Sequence, residues 1–142
     1  MEENRPKVGL ALIVKRAGKV LLGKRKGSHD SETWCFPGGH LEFFESFEDC
    51  ALRELREEAG DIKVKNLEFS IATNDLFRKE NKHYVTIFMV SDHVSGEAEV
   101  MEPEKCEKWG RYSWDNLPRP LFTGINNLLK QGYNLFDRRG EK

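Results

Sequence analysis

The chain has few cysteines, and their spacing excludes several classes of protein. Its three cysteines, Cys35, Cys50 and Cys106, are an odd number at unrelated spacings and form no Cys-x-x-Cys pair. Neither a disulfide framework nor a cysteine-based zinc site is therefore expected. We interpret all three as reduced thiols.

Long apolar runs and an excess of charge of one sign are also absent. No apolar run approaches the ~20 residues of a membrane span, and the N-terminal MEENRPK lacks the apolar segment of a signal peptide. The net charge of −1 gives no electrostatic signature of a nucleic-acid or anionic-membrane partner. With 142 residues, the sequence predicts a single cytoplasmic domain over residues 1–142.

Apolar periodicity predicts a mixture of strands and helices. Period-two patterns and short apolar runs predict strands at residues 8–14, 19–24, 63–74, 83–90 and 109–114, the first two forming a hairpin. A charged loop is expected at residues 76–82. Apolar residues at helical spacing predict a C-terminal helix at residues 121–131.

A second helix, from about residue 46 to residue 59, has a buried face that becomes acidic toward its end. Ser46 is an N-cap residue, and Gly60 is the usual residue just past a helix end. At about 100° per residue, Glu54 and Glu58 point into the apolar arc, with Glu57 at its border. The apolar residues of that arc are Phe47, Cys50, Ala51 and Leu55.

These carboxylates are unfavourable without a cation. Glu57 and Glu58 lie in the last turn, where the helix dipole disfavours anions by roughly 0.3–1 kcal/mol each, and Glu54 repels both. A divalent cation would relieve both penalties. The alternative is a solvated acidic face neutralised by Arg53 and Arg56, but the position of the carboxylates on the apolar side favours a metal site.

The residues before this helix complete a longer motif. Gly39 is followed by five residues, Glu45, seven residues, and then the run RELREEAG that ends at Gly60. This arrangement resembles the Nudix box, Gly-x5-Glu-x7-Arg-Glu-apolar-x-Glu-Glu-x-Gly-apolar, and matches all its fixed identities. One position departs, because Asp61 occupies the final apolar site.

The resemblance implies a fold and a metal site. Nudix proteins are of the α/β class, an α/β/α sandwich with a mixed sheet in which the box forms a loop-helix-loop. They hydrolyse nucleoside diphosphates linked to a further group, using Mg²⁺ or alternatively Mn²⁺. The implied metal ligands and catalytic groups are the main-chain carbonyl of Gly39 and the carboxylates of Glu54, Glu57 and Glu58.

The general base differs among Nudix members. It is the glutamate matching Glu54 in some and a glutamate from a distant loop in others, for which Glu102 and Glu104 are the candidates here. The alternative for these two is an acidic surface loop. Glu45 and Arg53 are expected to form a structural ion pair beneath the metal loop.

Five further residues are candidates for substrate binding. Arg25 matches a basic residue that meets the substrate's phosphate in MutT-type members, although residues 24–26 also fit a solvated basic run. Phe36, Thr86, Phe122 and Gly124 resemble parts of the base pocket in members that cleave guanine nucleotides, with Phe122 positioned to stack on a purine. The alternative for Phe36 and Phe122 is a purely core role.

The resemblance leaves three functions to weigh. The leading one is a small-molecule nucleotide hydrolase that converts a nucleoside triphosphate, with an oxidised or modified purine as one candidate, to monophosphate and pyrophosphate. The second is hydrolysis of ADP-ribose or a nucleotide sugar, whose enzymes commonly carry a proline beyond the box, whereas no proline occurs between Pro37 and Pro103. The third is a non-catalytic sensor or RNA-binding module, but such domains usually lose box glutamates. A homodimer is left open.

Overall fold

The computed structural model describes residues 4–27 and 31–136. This part of the chain contains seven strands and two helices. They are β1 (Lys7–Arg16), β2 (Lys19–Arg25), β3 (Trp34–Cys35), β4 (Gly38–His40), α1 (Phe47–Ala59), β5 (Lys63–Phe77), β6 (Lys82–Ser95), β7 (Cys106–Ser113) and α2 (Thr123–Lys130).

The strands form one mixed sheet, as predicted. Its order is β3-β2-β1-β6-β5, with β4 also paired to β1 and β7 to β2. β1 and β6 run parallel, with Leu10 opposite Ile87, and the other pairs are antiparallel. β1 therefore lies at the centre, bonded to strands from both halves of the chain.

Two hydrophobic cores lie on opposite faces of this sheet, because successive side chains of a strand alternate between its faces. From β1, Leu10, Leu12 and Val14 pack with the buried residues of α1, whereas Ile13 packs with those of α2. One helix thus covers each face, which is the α/β/α sandwich expected from the sequence. Neither helix in the described part of the chain is long and apolar enough to cross a membrane.

Several predicted boundaries shift where tertiary contacts override local pattern. The β1–β2 hairpin is confirmed by the pairing of Arg16 with Lys19. The loop expected to begin at residue 76 is wrong at its start, because β5 continues to Phe77, which is buried and pairs with Lys82. Similarly, Leu121 forms a bridge with Trp34 rather than joining the C-terminal helix.

Candidate functional site

Helix α1 has the ends that the sequence predicts. The Ser46 side chain accepts a hydrogen bond from the Asp49 amide at 3.0 Å, and the Gly60 amide donates to the Arg56 carbonyl at 3.2 Å. The helix buries Cys50, Ala51, Leu55 and Ala59, whereas Phe47 is 36% exposed and does not join that face as expected. Phe47 lies in the first turn, ahead of the residues that meet the sheet.

Strand β4 brings backbone into direct contact with the carboxylates of α1. A Cβ atom at Gly39 would lie 2.3 Å from Oε2 of Glu54, and one at Gly38 would lie 2.1 Å from the Leu10 carbonyl oxygen. The Gly38 amide donates to Oε1 of Glu58 at 3.1 Å. Only glycine allows this approach, so the paired glycines fit both the sheet and the acidic helix face.

The two carboxylates that meet at β4 lie in an environment that disfavours their charge. Burial raises the pKa of Glu58 to about 8, against the hydrogen bond from Gly38, and the nearby charges of Glu54 and Glu102 add to the rise. Burial also raises the pKa of Glu54, an effect that the charge of Arg53 opposes. A cation between the carboxylates would favour their ionised forms.

The oxygen atoms gathered here suit a hard divalent cation such as Mg²⁺ or Mn²⁺. The structure brings Glu54, Glu58 and the Gly39 backbone together, whereas Glu57 is exposed and lies 3.4 Å from Arg53. Within residues 4–27 and 31–136, no three His, Cys, Asp or Glu side chains are arranged to hold a metal ion. The Glu54 and Glu58 carboxylates and the Gly39 carbonyl therefore stay predicted ligands, to which water or substrate oxygens would be added, and Glu57 would have to leave Arg53 to join them.

The predicted ion pair between Arg53 and Glu45 is confirmed. Nε and Nη2 of Arg53 donate to the two oxygens of Glu45 at 2.7 and 3.0 Å, and Nη2 also donates to the His40 carbonyl at 3.0 Å. The hydrogen bond from Arg53 lowers the pKa of Glu45 to about 2. Since Arg53 also donates to Glu54 at 2.9 Å, it joins the loop before α1 to the carboxylate of the site.

A cavity of about 660 Å³ opens beside these groups. It reaches from β4 to the start of α2 and has the size and mixed polar and apolar lining of a small-molecule site. Glu104 also lines it, although that side chain is exposed. The other predicted residues that line it are Arg25, Phe36, Gly39, Glu58, Thr86, Glu102, Phe122 and Gly124.

Arg25 and Phe122 form one wall of the cavity together. The Arg25 guanidinium lies 4.5 Å from the centre of the Phe122 ring, a cation–π contact, and that ring is tilted against Phe77 at 5.7 Å. Phe36 is 4% exposed and packs edge-on against Phe88, so it belongs to the core as well as to the cavity wall. Lys24 instead pairs with surface carboxylates, in keeping with a solvated basic residue.

The sequence analysis missed several residues of this site. Asp75, Lys82 and Trp109 line the cavity, as do His40 and Tyr84, whose rings are stacked at 5.4 Å. A usable signal existed for Asp75, because aspartate is depleted in strands and a strand aspartate needs a reason. For Trp109, which donates to the Glu58 carbonyl at 3.2 Å, the pairing of β7 with β2 had to be known first.

Comparisons with known proteins give matches over most of the chain. Residues 3–131 match the model of the NUDIX domain. The ADP-ribose pyrophosphatase of Methanocaldococcus jannaschii is 31% identical over 118 residues, which are 82% of this chain and 68% of that protein. The MutT NUDIX hydrolase structure from Burkholderia pseudomallei is 30% identical with a TM-score of 0.83, covering 90% of this chain and 98% of that one.

A more distant structure supports the fold alone. The NUDIX domain of Shewanella oneidensis NrtR, complexed with ADP ribose, is 19% identical with a TM-score of 0.73. The likeness covers 92% of this chain and 88% of that one.

Proposed function

Because the chain belongs to the NUDIX family and is a hydrolase of pyrophosphate bonds, we propose that it cleaves a nucleoside triphosphate to the monophosphate and pyrophosphate with Mg²⁺. An oxidised or otherwise modified purine triphosphate is the candidate substrate. Nudix hydrolases generally use divalent metal ions and act on small nucleotides, so the proposal concerns which nucleotide and which ion.

The observation that carries the proposal is the number of basic side chains that line the cavity beside its carboxylates. Five basic side chains line it together with four acidic ones, and Lys24 is itself paired with Glu32 and Glu107. A bound cation would offset the acidic side chains, and because a triphosphate carries more negative charge than the diphosphate of ADP-ribose, the basic side chains favour the triphosphate. These side chains are Lys24, Arg25, Lys26, Lys82 and Lys105.

Different residues of the site would bind the cation and act as the general base. Glu54, Glu58 and the Gly39 carbonyl would hold the cation, which would supply positive charge to neutralise phosphate oxygens and polarise the bond to be cleaved. Glu102 is half-buried in the cavity wall and close enough to Glu58 to raise its pKa. Because Glu54 already accepts from Arg53, we assign the role of general base to Glu102.

The opposite end of the cavity would bind the nucleoside. Arg25 would contact the phosphates where they meet the nucleoside, and the Phe122 ring beside it would offer an aromatic surface to the base. Phe36, Thr86 and Gly124, which also line the cavity, would complete the wall around the base.

A second candidate is hydrolysis of ADP-ribose, which the name of the Methanocaldococcus jannaschii relative favours. The basic side chains of the cavity and the absence of proline between Pro37 and Pro103 favour the triphosphate instead. We therefore propose the triphosphate as the first candidate and ADP-ribose as the second.

A substrate panel tests the proposal directly. With saturating Mg²⁺, purine and pyrimidine triphosphates, their oxidised forms and ADP-ribose are compared, and pyrophosphate, orthophosphate and ribose 5-phosphate are measured as products. We expect pyrophosphate from a purine triphosphate with the highest kcat/KM, and loss of activity with chelator. Ribose 5-phosphate from ADP-ribose at a higher kcat/KM would overturn the triphosphate in favour of the second candidate.

A further inference from the structure

The last carbonyls of α1 are bonded to the segment that carries Glu102. An α-helix leaves its final four carbonyls without a partner inside the helix. In α1 the Ala59 carbonyl accepts from the Glu99 amide at 2.9 Å, and the Glu58 carbonyl accepts from the Met101 amide at 3.3 Å. Glu102 is the next residue along the chain, so the segment between β6 and β7 is attached to the helix directly before the proposed general base.

The Glu58 carbonyl oxygen receives a second hydrogen bond, from the other side of Glu102. The indole Nε1 of Trp109, on β7, donates to it at 3.2 Å. A carbonyl oxygen has two lone pairs, and here one donor comes before Glu102 in the chain and one comes after it. The segment of residues 101–109 is therefore held at both ends by one main-chain atom of Glu58, whose side chain is a predicted metal ligand.

The Trp109 indole is held on its other side by β2. Trp109 is paired with Gly23, and a Cβ atom at Gly23 would lie 2.7 Å from Cζ3 of the indole ring. That distance is too short for any side chain larger than hydrogen, so only glycine admits the ring in this position. Strand β2 thus holds the indole against the end of α1.

Glu102 lies in a turn whose main chain is itself bonded. Its carbonyl accepts from the Lys105 and Cys106 amides at 2.9 and 3.0 Å. Its side chain is half-buried in the wall of the cavity, which Glu58 and Trp109 also line. Because the main chain is bonded on both sides of this side chain, the distance from Glu102 to Glu58 depends on how the segment is held.

We propose that Trp109 is a positioning residue, whose indole N–H holds the segment of residues 101–109 on the Glu58 carbonyl and so sets the distance between the general base Glu102 and the metal ligand Glu58. This inference rests on the proposed function and names a residue on which the general base depends. Displacing a catalytic group by about 1 Å can cost on the order of 100-fold in rate. The bond from Trp109 should therefore affect turnover.

The test begins with Trp109→Phe, which removes the donor and keeps an aromatic ring. With the best substrate of the panel at saturating Mg²⁺, kcat should fall by about tenfold or more. KM should stay within about twofold of wild type, because no contact to the bound substrate is removed. The matched control is Trp114→Phe, since Trp114 is also half-buried but packs against Tyr133 in the core beneath α2. Its kcat should stay within about twofold of wild type.

The same substitution in a Glu102→Gln background shows whether the effect passes through Glu102. Loss of a general base typically lowers the rate by about 10²–10⁴-fold, which remains measurable at high enzyme concentration. In that background Trp109→Phe should change kcat by less than about twofold, because no base is left to position. A merely structural role would lower kcat by the same factor in both backgrounds, which would overturn the proposal. So would wild-type turnover by Glu102→Gln.

Hydrogen exchange of the metal-free protein measures the attachment of the segment without any catalysis. The amides of residues 99–106 should exchange about tenfold faster or more in Trp109→Phe than in wild type, with β1 and β6 unchanged. Trp114→Phe should leave residues 99–106 at the wild-type rate. Unchanged exchange in Trp109→Phe, or faster exchange without a loss of kcat, would overturn the proposal.

Failure of the proposed function would be visible separately. If the wild type hydrolyses no substrate of the panel, the exchange measurement decides alone. Faster exchange of residues 99–106 in Trp109→Phe then supports the attachment of the segment to Glu58, and unchanged exchange overturns it. If Trp109→Phe does not fold, Gly23→Ala replaces it, because its methyl group would displace the indole while leaving the donor in the chain. The same loss of kcat and the same faster exchange are expected of it.

Discussion

Glu58 illustrates how a single residue can be held in place independently of any bound cation. Its side chain accepts from the Gly38 amide, and its main-chain carbonyl accepts from the Trp109 indole at 3.2 Å and the Met101 amide at 3.3 Å. A glutamine could make all three contacts. The charge of Glu58, whose pKa burial raises to about 8, is therefore separable from its structural contacts.

Glu58→Gln should remove most activity and leave the fold intact. Loss of one anionic ligand costs several kcal/mol of charge stabilisation, so kcat should fall on the order of 100-fold or more at saturating Mg²⁺. The melting temperature without metal should hold, because glutamine keeps these contacts, or rise above about pH 8, where Glu58 carries a buried charge that glutamine lacks. Steady-state kinetics and thermal unfolding measure the two effects.

Glu57→Gln is the matched comparison for this variant. Glu57 is exposed and paired with Arg53, so its loss should reduce kcat less than that of Glu58. Wild-type turnover by Glu58→Gln would remove Glu58 from the metal site and restore the interpretation of a solvated acidic face.

Arg25→Ala should raise KM for the triphosphate substrate more than it lowers kcat. A hydrogen bond to a charged group is worth about 1.5–3 kcal/mol, so KM should rise by roughly 10- to 100-fold if Arg25 binds the phosphates in the ground state. Arg56→Ala, which removes an exposed guanidinium from α1, is the control. Identical constants for Arg25→Ala and wild type would instead favour a solvated basic run at residues 24–26.

At the scale of elements, α1 was predictable because its signals are local. Ser46 and Gly60 mark its ends, and the spacing of Glu54 and Glu58 places both on the face that meets β4. β5 was harder to predict, since Asp75 is a poor strand residue whose burial depends on side chains from β6 and α2. The position of β5 therefore depends on contacts between residues that are distant in sequence.

Substitutions at the two glycines of β4 should distinguish a residue needed for folding from a residue needed for activity. Gly38→Ala would place its Cβ 2.1 Å from a backbone oxygen of β1, which cannot move without disrupting the sheet, so the protein should be strongly destabilised. Gly39→Ala would meet only the end of the Glu54 side chain, which can swing away. It should fold with a melting temperature near wild type but lose activity.

Thermal unfolding and turnover of the two variants, measured in parallel, check this expectation. Retention of activity by folded Gly39→Ala would show that the contact between Gly39 and Glu54 is not needed for catalysis.

At the scale of the whole molecule, β1 determines how the two cores and the site are related. Its parallel pairing with β6 joins residues far apart in sequence, and hydrophobic patterning does not specify such a partner. The mixed α/β class was predictable from the order of elements, whereas the cavity was not, because its walls come from β2, β4, β6 and α2. The homodimer left open by the sequence stays a prediction, which molar mass in solution would test.

The acid stability of the folded protein should depend on the ion pair beneath the site. Glu45 has its pKa lowered from 4.5 to about 2, chiefly by the hydrogen bond from Arg53. A group with a depressed folded-state pKa stabilises the protein above its unfolded value and loses that contribution as pH falls through the folded value. Glu45→Gln should therefore be less stable than wild type above pH 4.5, and the difference should shrink as pH falls toward about 2.

Urea unfolding of both proteins across this pH range measures the difference, because both keep every other titrating group. Glu48→Gln, which removes an exposed carboxyl from the first turn of α1, controls for the general response to losing one acidic side chain. A gap between wild type and Glu45→Gln that stays constant from neutral pH to about pH 2 would contradict the argument. Glu45 would then stabilise the loop through hydrogen bonds that glutamine or a protonated carboxyl forms equally well. The charge of Arg53 would in that case stabilise only the carboxylate of Glu54.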